Sequence, residues 1–493
     1  MRRREFLRKV TAGSLTGSAL HQALAGPVGS RPNILFAISD DQSWVHTGIS
    51  GDPVVKTPTF DRVAREGVLF THAFCAAPSC TPSRGAIVTG QVPFRLKENG
   101  NLWSTLRKEF PVYPDLLERA GYHVGHARKG WGPGKVPPGG RDRNPAGPRF
   151  TEFKEFLESV PADKPFCFWF GGYDPHRPYQ KGSGLKTGKK LTDVQVPPFL
   201  PDVAEVRSDI LDYFFEIERF DREVGQMLEL LERAGQLDNT LVVITSDNGM
   251  PFPRAKANLY DYGTRMPLAV RWPKRVKGGR TIDDFISFTD VAPTFLKAAG
   301  LDPPQDMTGR GFLDLLTSGK SGRIDPKRDK VFTGRERHAW VREGGLGYPC
   351  RAVRTDRFLY IRNFKPERWP AGGPGAYGDI DGSPSKDYMM ANRKAKRVSH
   401  LFRLAFGKRP AEELYDLTKD PAQMNNVADL PDYAEEKKTL SAELDRWMAD
   451  MKDPRATGQG DVFDRYPYYG RVRRETPKRR NVETSKQKPS RDR

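Results

Sequence analysis

The chain has 493 residues, a net charge of +19 and a mean hydropathy of −0.65. Residues 1–25 carry a net charge of +4 and residues 471–493 a net charge of +7, so residues 26–470 keep +8. A positive body favours an acidic substrate. Because more than half of the charge lies at the two ends of the chain, nucleic acid is not the expected partner. Its four cysteines are too few and too scattered for a disulfide framework or a Cys-x-x-Cys metal site.

Residues 1–25 are predicted to be a targeting segment. Arg3-Arg4-Glu5-Phe6-Leu7-Arg8 matches the twin-arginine export pattern, and a small-x-small cleavage site follows at Ala23-Leu24-Ala25. We therefore expect cleavage near Gly26 and export to the periplasm or the extracellular space. No later stretch is apolar over the roughly 18 residues that a membrane helix needs, so we expect no transmembrane span.

Three short, continuous apolar runs, 33–38, 165–170 and 241–245, predict strands that are buried on both faces of a parallel sheet. Amphipathic stretches between the runs predict helices. These stretches are 57–65, 113–120 and 208–234. The alternation predicts an α/β domain over residues 30–335, with a large, mostly parallel mixed sheet between helices.

After about residue 325 the pattern changes to short strands and turns. Strands are expected at 350–353 and 358–361, followed by a Gly/Pro-rich stretch at 370–384 and an amphipathic helix at 433–451. We interpret residues 336–455 as a smaller α+β subdomain with a short antiparallel sheet. Residues 456–493 are expected to be an extended basic tail, partly disordered.

Polar residues follow each of the three predicted strands. The first strand is followed by Asp40 and Asp41, the second by Asp174-Pro175-His176-Arg177, and the third by Asp247 and Asn248. Ligands of open α/β sheets bind at the carboxyl ends of the strands. The paired carboxylates and the Asp-Asn pair form an all-oxygen set, which suits a hard divalent cation such as Ca²⁺.

The segment Cys80-Thr81-Pro82-Ser83-Arg84 is the most specific motif. Pro82 suits the first turn of a helix and Gly90 its end, so Cys80 is expected at a helix N-terminus, where backbone N–H groups favour an anion. The motif resembles the signature of the type I sulfatases, members of the alkaline phosphatase superfamily, in which the cysteine is oxidised to formylglycine (3-oxoalanine).

The resemblance extends over most of the chain, at 32–42, 75–91, 121–133, 165–177, 241–260 and 331–428. Within the family, Thr245 to Pro253 followed by Lys256 and Asn258-Leu259-Tyr260 looks most like the sulfamidases, the N-sulfoglucosamine sulfohydrolases of heparan-type sugars. The resemblance thus implies an alkaline phosphatase-like fold, a sulfated saccharide as substrate, and a formylglycine-generating maturation enzyme as partner.

The resemblance also implies a role for each matching residue. The Ca²⁺ ligands would be Asp40, Asp41, Asp247, Asn248 and the modified Cys80. The sulfate would be bound by Arg84, Lys129 and Lys256, and His176 would protonate the leaving oxygen or nitrogen. One hydroxyl of the hydrated aldehyde would attack sulfur, and the other would expel sulfate. Sugar recognition is expected from Glu336, Arg337, His338 and Arg351.

One family position departs from the pattern. Family members commonly carry Gly-Lys-x-His near the second lysine, whereas this chain has Arg128-Lys129-Gly130-Trp131. The second family histidine is therefore missing. His126 is close, but it lies three positions too early to replace it.

Three other functions remain open on the sequence alone. An O-sulfatase acting on another sulfated polysaccharide would need the same core residues. A phosphonate or phosphodiester hydrolase would use a similar formylglycine motif and metal set. The basic tail and positive body also suit a polyanion-binding protein with a vestigial site, in which Cys80→Ala would leave binding intact.

Overall fold

The computed structural model describes residues 31–472. Residues 1–30, which include the predicted targeting segment, and residues 473–493 lie outside the described residues. The strands are β1 (Asn33–Ser39), β2 (Val68–Phe74), β3 (His123–Arg128), β4 (Arg149–Phe150), β5 (Phe166–Gly171), β6 (Thr240–Ser246), β7 (Arg265–Arg271), β8 (Arg280–Ile282), β9 (Ile286–Ser287), β10 (Lys330–Arg335), β11 (Cys350–Thr355), β12 (Phe358–Asn363) and β13 (Glu412–Asp416). The helices are α1 (Pro58–Glu66), α2 (Cys80–Thr89), α3 (Tyr113–Arg119), α4 (Phe153–Ser159), α5 (Ala204–Arg233), α6 (Asp261–Thr264), α7 (Val291–Ala298), α8 (Leu313–Thr317), α9 (Pro384–Ala391), α10 (Lys396–Phe406), α11 (Ala434–Asp450) and α12 (Val462–Arg465).

A nine-stranded mixed sheet forms the larger domain. Its strand order is β4-β3-β5-β1-β6-β7-β2-β8, and β9 pairs with β2. The central strand β1 is parallel to both β5 and β6, whereas β7 is antiparallel to β6 and β2. The predicted α/β fold with a mostly parallel mixed sheet is thus confirmed.

The continuous apolar sequence of β1 is explained by two cores, one on each face of the sheet. Ile34, Phe36 and Ile38 pack into one core, and Leu35 and Ala37 pack into the other. Because side chains alternate between the faces of a strand, a strand covered by helices on both sides needs apolar residues at successive positions.

The second sheet has four antiparallel strands in the order β10-β11-β12-β13. Leu440, Leu444 and Met448 of α11 pack on one face of it, against Val353 and Tyr360. This confirms the short antiparallel sheet expected in the C-terminal region. The sheet begins at β10, before the expected boundary at residue 336, because β10 pairs with β11.

The stretch 456–472 differs from the extended tail that was expected there. It contains the helical turn α12, and Phe463 within that turn is buried. Asn101 donates a hydrogen bond to the Phe463 carbonyl, and Arg337 donates to the carbonyls of Tyr466 and Pro467. These contacts hold the stretch against the body of the protein.

Within residues 31–472, no helix has both the length and the apolar character that crossing a bilayer requires.

Candidate functional site

The carboxyl ends of β1 and β6 bring four polar residues together. The two strands are parallel and in register, with Ser39 opposite Ser246, so Asp40 and Asp41 emerge beside Asp247 and Asn248. The backbone N–H of Asp41 donates to Asp247 Oδ1 at 3.1 Å. Asp41 has a left-handed backbone (φ 76°), which is uncommon for a residue other than glycine and occurs where surrounding contacts fix it, often at functional sites.

Helix α2 brings Cys80 to the same point, and Cys80 is its first residue, as the motif predicts. The whole helix is buried, and Ser83 anchors its first turn by donating to the Asp247 carbonyl at 2.6 Å. Cys80 Sγ lies 3.5 Å from Asp40 Oδ1. Burial and the nearby Asp247 carboxylate raise the pKa of the Cys80 thiol well above its ordinary value, so an unmodified thiol would be a neutral, weak nucleophile.

The donor atoms of this cluster fit a divalent cation. Asp40, Asp41, Cys80 and Asp247 each place one potential ligand atom within 4.8 Å of the others. Asn248 donates through Nδ2 to Asp41, while its buried Oδ1 has no hydrogen-bond partner among residues 31–472. A buried acceptor without a partner is costly, and an oxygen in this position beside three carboxylates is a suitable ligand for a hard metal ion.

Three cationic side chains surround the carboxylates. Arg84 Nε donates to Asp247 Oδ2 at 2.7 Å, Lys129 pairs with Asp40, and Lys256 Nζ lies 2.5 Å from Asp41 Oδ2. Burial opposes charge on both lysines, but the facing carboxylates raise the pKa of Lys129 and of Lys256 above the ordinary value. Both lysines are therefore cationic and place positive charge beside the carboxylates.

Arg84 keeps one donor free in this arrangement. Its Nη1 donates to the carbonyls of Lys129 and Gly130, whereas its buried Nη2 makes no hydrogen bond within the described part of the chain. The guanidinium is fixed by its other contacts. Nη2 is thus a pre-positioned donor for an anionic oxygen.

His176 lies at the edge of the cluster with one ring nitrogen directed toward it. Its Nδ1 is 2.7 Å from the Arg177 carbonyl, which sets Nδ1 as the donor in this contact. The other nitrogen, Nε2, is 3.8 Å from Asp41 Oδ2. About a third of the side chain is exposed, so a bound substrate could reach Nε2.

Asp381 belongs to the site and was missed from sequence. Its Oδ2 lies 3.6 Å from Lys256 Nζ, and it has a carboxylate oxygen within 4.8 Å of potential ligand atoms of Asp41 and His176. Burial raises its pKa, but Lys256 and then His176 outweigh burial and keep the pKa below its ordinary value. The only sequence signal was a pair of aspartates, Asp379 and Asp381, inside the Gly/Pro-rich stretch.

The expected sugar-binding role of Glu336 and Arg351 does not fit the structure. Both side chains are fully buried, with Arg351 2.7 Å from Glu336 and 2.6 Å from Asp453. Arg455 makes a second ion pair with Glu336 at 2.6 Å. Because these buried charges neutralise one another, neither side chain has a free group for a sugar.

Arg337 is also used structurally, while His338 reaches the edge of the site. Arg337 is buried and donates to four backbone carbonyls, including that of Tyr466, so its expected role in sugar binding does not fit either. His338 Nδ1 lies 2.8 Å from the hydroxyl of Ser79, the residue before Cys80. Burial lowers the pKa of His338 to about 3, so its ring is neutral at physiological pH.

Comparison with known proteins identifies relatives of this chain. The chain matches the family model described as "Sulfatase" over residues 32–136 and 148–301, and the model "N-sulphoglucosamine sulphohydrolase, C-terminal" over residues 254–370. It is 30% identical to an ulvan-active sulfatase of Formosa agariphila, over 92% of this chain and 86% of that protein. It is 28% identical to human N-sulphoglucosamine sulphohydrolase, over 86% of this chain and 91% of that protein.

Solved structures show the same fold. One, described as a complex with its substrate D-glucosamine-2-N,6-O-disulfate, superimposes with a TM-score of 0.63 and 21% sequence identity. The match covers 87% of this chain and all of the other chain.

Proposed function

The chain belongs to the sulfatase family, and from this membership we propose that it releases sulfate from sulfated saccharides, with N-sulfoglucosamine of heparan type as its substrate. The observation that carries the proposal is the buried cluster of carboxylates that faces Cys80 and is surrounded by Arg84, Lys129 and Lys256. A sulfuryl group in transfer spreads negative charge over its oxygens, and fixed cationic donors stabilise that charge.

A Ca²⁺ ion held by Asp40, Asp41, Asp247 and Asn248 would supply further positive charge next to the sulfate oxygens. Formylglycine formed from Cys80 would, once hydrated, supply one hydroxyl for attack on sulfur and a second for release of the sulfate. Arg84 would bind a sulfate oxygen through its free Nη2, and the two lysines would bind the others. His176 would deliver a proton from Nε2 to the leaving nitrogen or oxygen.

The preference for an N-sulfated sugar is supported by the segment from Arg254 to Pro370, which matches the C-terminal sulfamidase model and includes Lys256. Similarity to the human N-sulphoglucosamine sulphohydrolase along nearly the whole chain supports it as well. The similarity to an ulvan-active sulfatase favours a second candidate, an O-sulfatase acting on another polysaccharide.

Sulfate release from N-sulfoglucosamine and from glucosamine 6-O-sulfate tests the proposal, using protein co-expressed with a formylglycine-generating enzyme. We expect kcat/KM for the N-sulfated sugar to be at least about tenfold higher, a difference of about 1.4 kcal/mol in transition-state stabilisation. The reverse preference would favour the O-sulfatase. Faster turnover of a phosphodiester than of any sulfate would contradict both.

His176→Ala is expected to lower kcat/KM for N-sulfoglucosamine by roughly 10²–10³-fold, because the poor leaving nitrogen would lose its proton donor. An aryl sulfate has a phenolate leaving group that needs little protonation. His176→Ala should therefore lower kcat/KM for an aryl sulfate by less than about tenfold. His400→Ala, at an exposed histidine of α10, serves as the matched control. Equal losses on the two substrates would show that His176 does not protonate the leaving group.

A further inference from the structure

A cavity of 710 Å³ opens beside Lys129, next to the carboxyl ends of β3 and β5. Lys129 belongs both to this cavity and to the cluster that faces Cys80. Pro133, also in the cavity wall, accepts a hydrogen bond from Thr81 of α2, the residue after Cys80. Lys129 and the Thr81–Pro133 hydrogen bond therefore place the cavity beside the cluster that faces Cys80.

Four basic residues line the cavity, and three of them are paired with carboxylates that lie outside its wall. Arg128, Lys129, Arg143 and Arg149 line it, and none of its lining residues is acidic. Arg128 and Arg143 form ion pairs with carboxylates outside the cavity wall. Arg149 is exposed and makes no ion pair or side-chain hydrogen bond with any residue of 31–472. Its guanidinium is thus available to bind an anion.

Aromatic rings form part of the same wall. Tyr173 is 52% exposed, and Trp103 is partly exposed. Exposed aromatic faces with a few polar groups are typical of ligand pockets, and they offer apolar area for the C–H faces of a sugar ring. The Tyr173 backbone carbonyl accepts a hydrogen bond from the backbone N–H of His176 at 3.1 Å. Tyr173 therefore lies one backbone turn before the proposed proton donor.

We propose that this cavity is a subsite for the sugar next to the one that loses sulfate, and that Arg149 pairs with a carboxylate or sulfate on that sugar. The volume is within the range of about 300–1,000 Å³ that is usual for ligand sites and accommodates a pyranose ring. The inference rests on the proposed function and narrows its substrate to an oligosaccharide or polysaccharide with acidic groups on neighbouring residues.

Binding to catalytically inert Cys80→Ala protein tests the subsite by calorimetry. The probes are a heparan tetrasaccharide that carries N-sulfoglucosamine, its carboxyl-reduced form, and free N-sulfoglucosamine. We expect the tetrasaccharide to bind at least about tenfold more tightly than the monosaccharide. Arg149→Gln and Tyr173→Ala should each lower the ratio of these two affinities by about three- to tenfold. Arg446→Gln, at an exposed arginine of α11, should leave the ratio unchanged.

The carboxyl-reduced tetrasaccharide identifies the anion. If the effect of Arg149→Gln disappears with this probe, Arg149 binds a carboxylate; if it persists, Arg149 binds a sulfate. Equal affinity for tetrasaccharide and monosaccharide, no binding of the tetrasaccharide, or an affinity ratio that neither variant changes would overturn the subsite. In those cases, sulfate release from the monosaccharide by the wild-type enzyme would still support the proposed function. If the wild-type enzyme released sulfate from no sulfated sugar, the proposed function itself would be overturned.

Discussion

Replacement of Cys80 by alanine is expected to reduce sulfate release by on the order of 10⁵-fold or more, because the variant has no nucleophile. The neighbouring hydroxyl groups of Ser79, Thr81 and Ser83 already make hydrogen bonds within the protein. Ser83 donates its hydroxyl to the Asp247 carbonyl, and the hydroxyl of Ser79 lies against His338. The fold should persist, since loss of one buried sulfur lowers the free energy of unfolding by only about 1 kcal/mol.

Initial rates with N-sulfoglucosamine, together with thermal unfolding, measure both effects. The matched control is Cys350→Ala, which removes another buried cysteine, in β11 of the second sheet. We expect this control to lose similar stability and to keep its activity. Cys80→Ala with more than about a hundredth of the wild-type rate would remove Cys80 from the mechanism.

Asp247→Asn is expected to lower kcat by on the order of 10³-fold or more and to abolish stoichiometric calcium binding. Asp247 connects three parts of the site. Its Oδ1 accepts from the Asp41 N–H, its Oδ2 accepts from Arg84, and its backbone carbonyl accepts from Ser83. The substitution removes a negative charge from the proposed metal ligands and leaves the buried Arg84 without its nearest counter-charge.

Two measurements separate the loss of the metal from the loss of the counter-charge of Arg84. They are the calcium content after dialysis and the activity before and after chelation. Wild-type protein should lose activity with a chelator and recover it when calcium is restored, whereas Asp247→Asn should not respond to calcium. Asp284→Asn, at a buried aspartate that accepts from the N–H groups of Ile324 and Asp325, is the control and should retain the metal. Full calcium occupancy in Asp247→Asn would contradict its assignment as a ligand.

The position of the carboxylate cluster could be predicted from sequence, because it depends only on a local residue pattern and on a general rule of parallel sheets. Continuous apolar runs identify buried parallel strands, and the carboxyl ends of such strands lie at one edge of the sheet. The placement of Asp40 and Asp247 follows from these two facts. The position of Cys80 at the start of α2 follows from Pro82 and Gly90 in the same way.

The second domain was harder to predict because its charges pair over long sequence separations. Glu336, Arg351, Asp453 and Arg455 neutralise one another although they lie up to 119 residues apart. No local pattern distinguishes such a buried arginine from one that binds a ligand. Asp381 was missed for a related reason, since an irregular Gly/Pro-rich stretch gives no indication of where its side chains lie.

Mass spectrometry of the peptide that contains Cys80, from active enzyme, tests the central claim most directly. Conversion of cysteine to formylglycine replaces the thiol by an aldehyde and lowers the peptide mass by about 18 Da. We expect this lighter form to predominate, with its fraction across preparations proportional to kcat. Enzyme that releases sulfate at the full rate while residue 80 remains an unmodified cysteine would contradict the account.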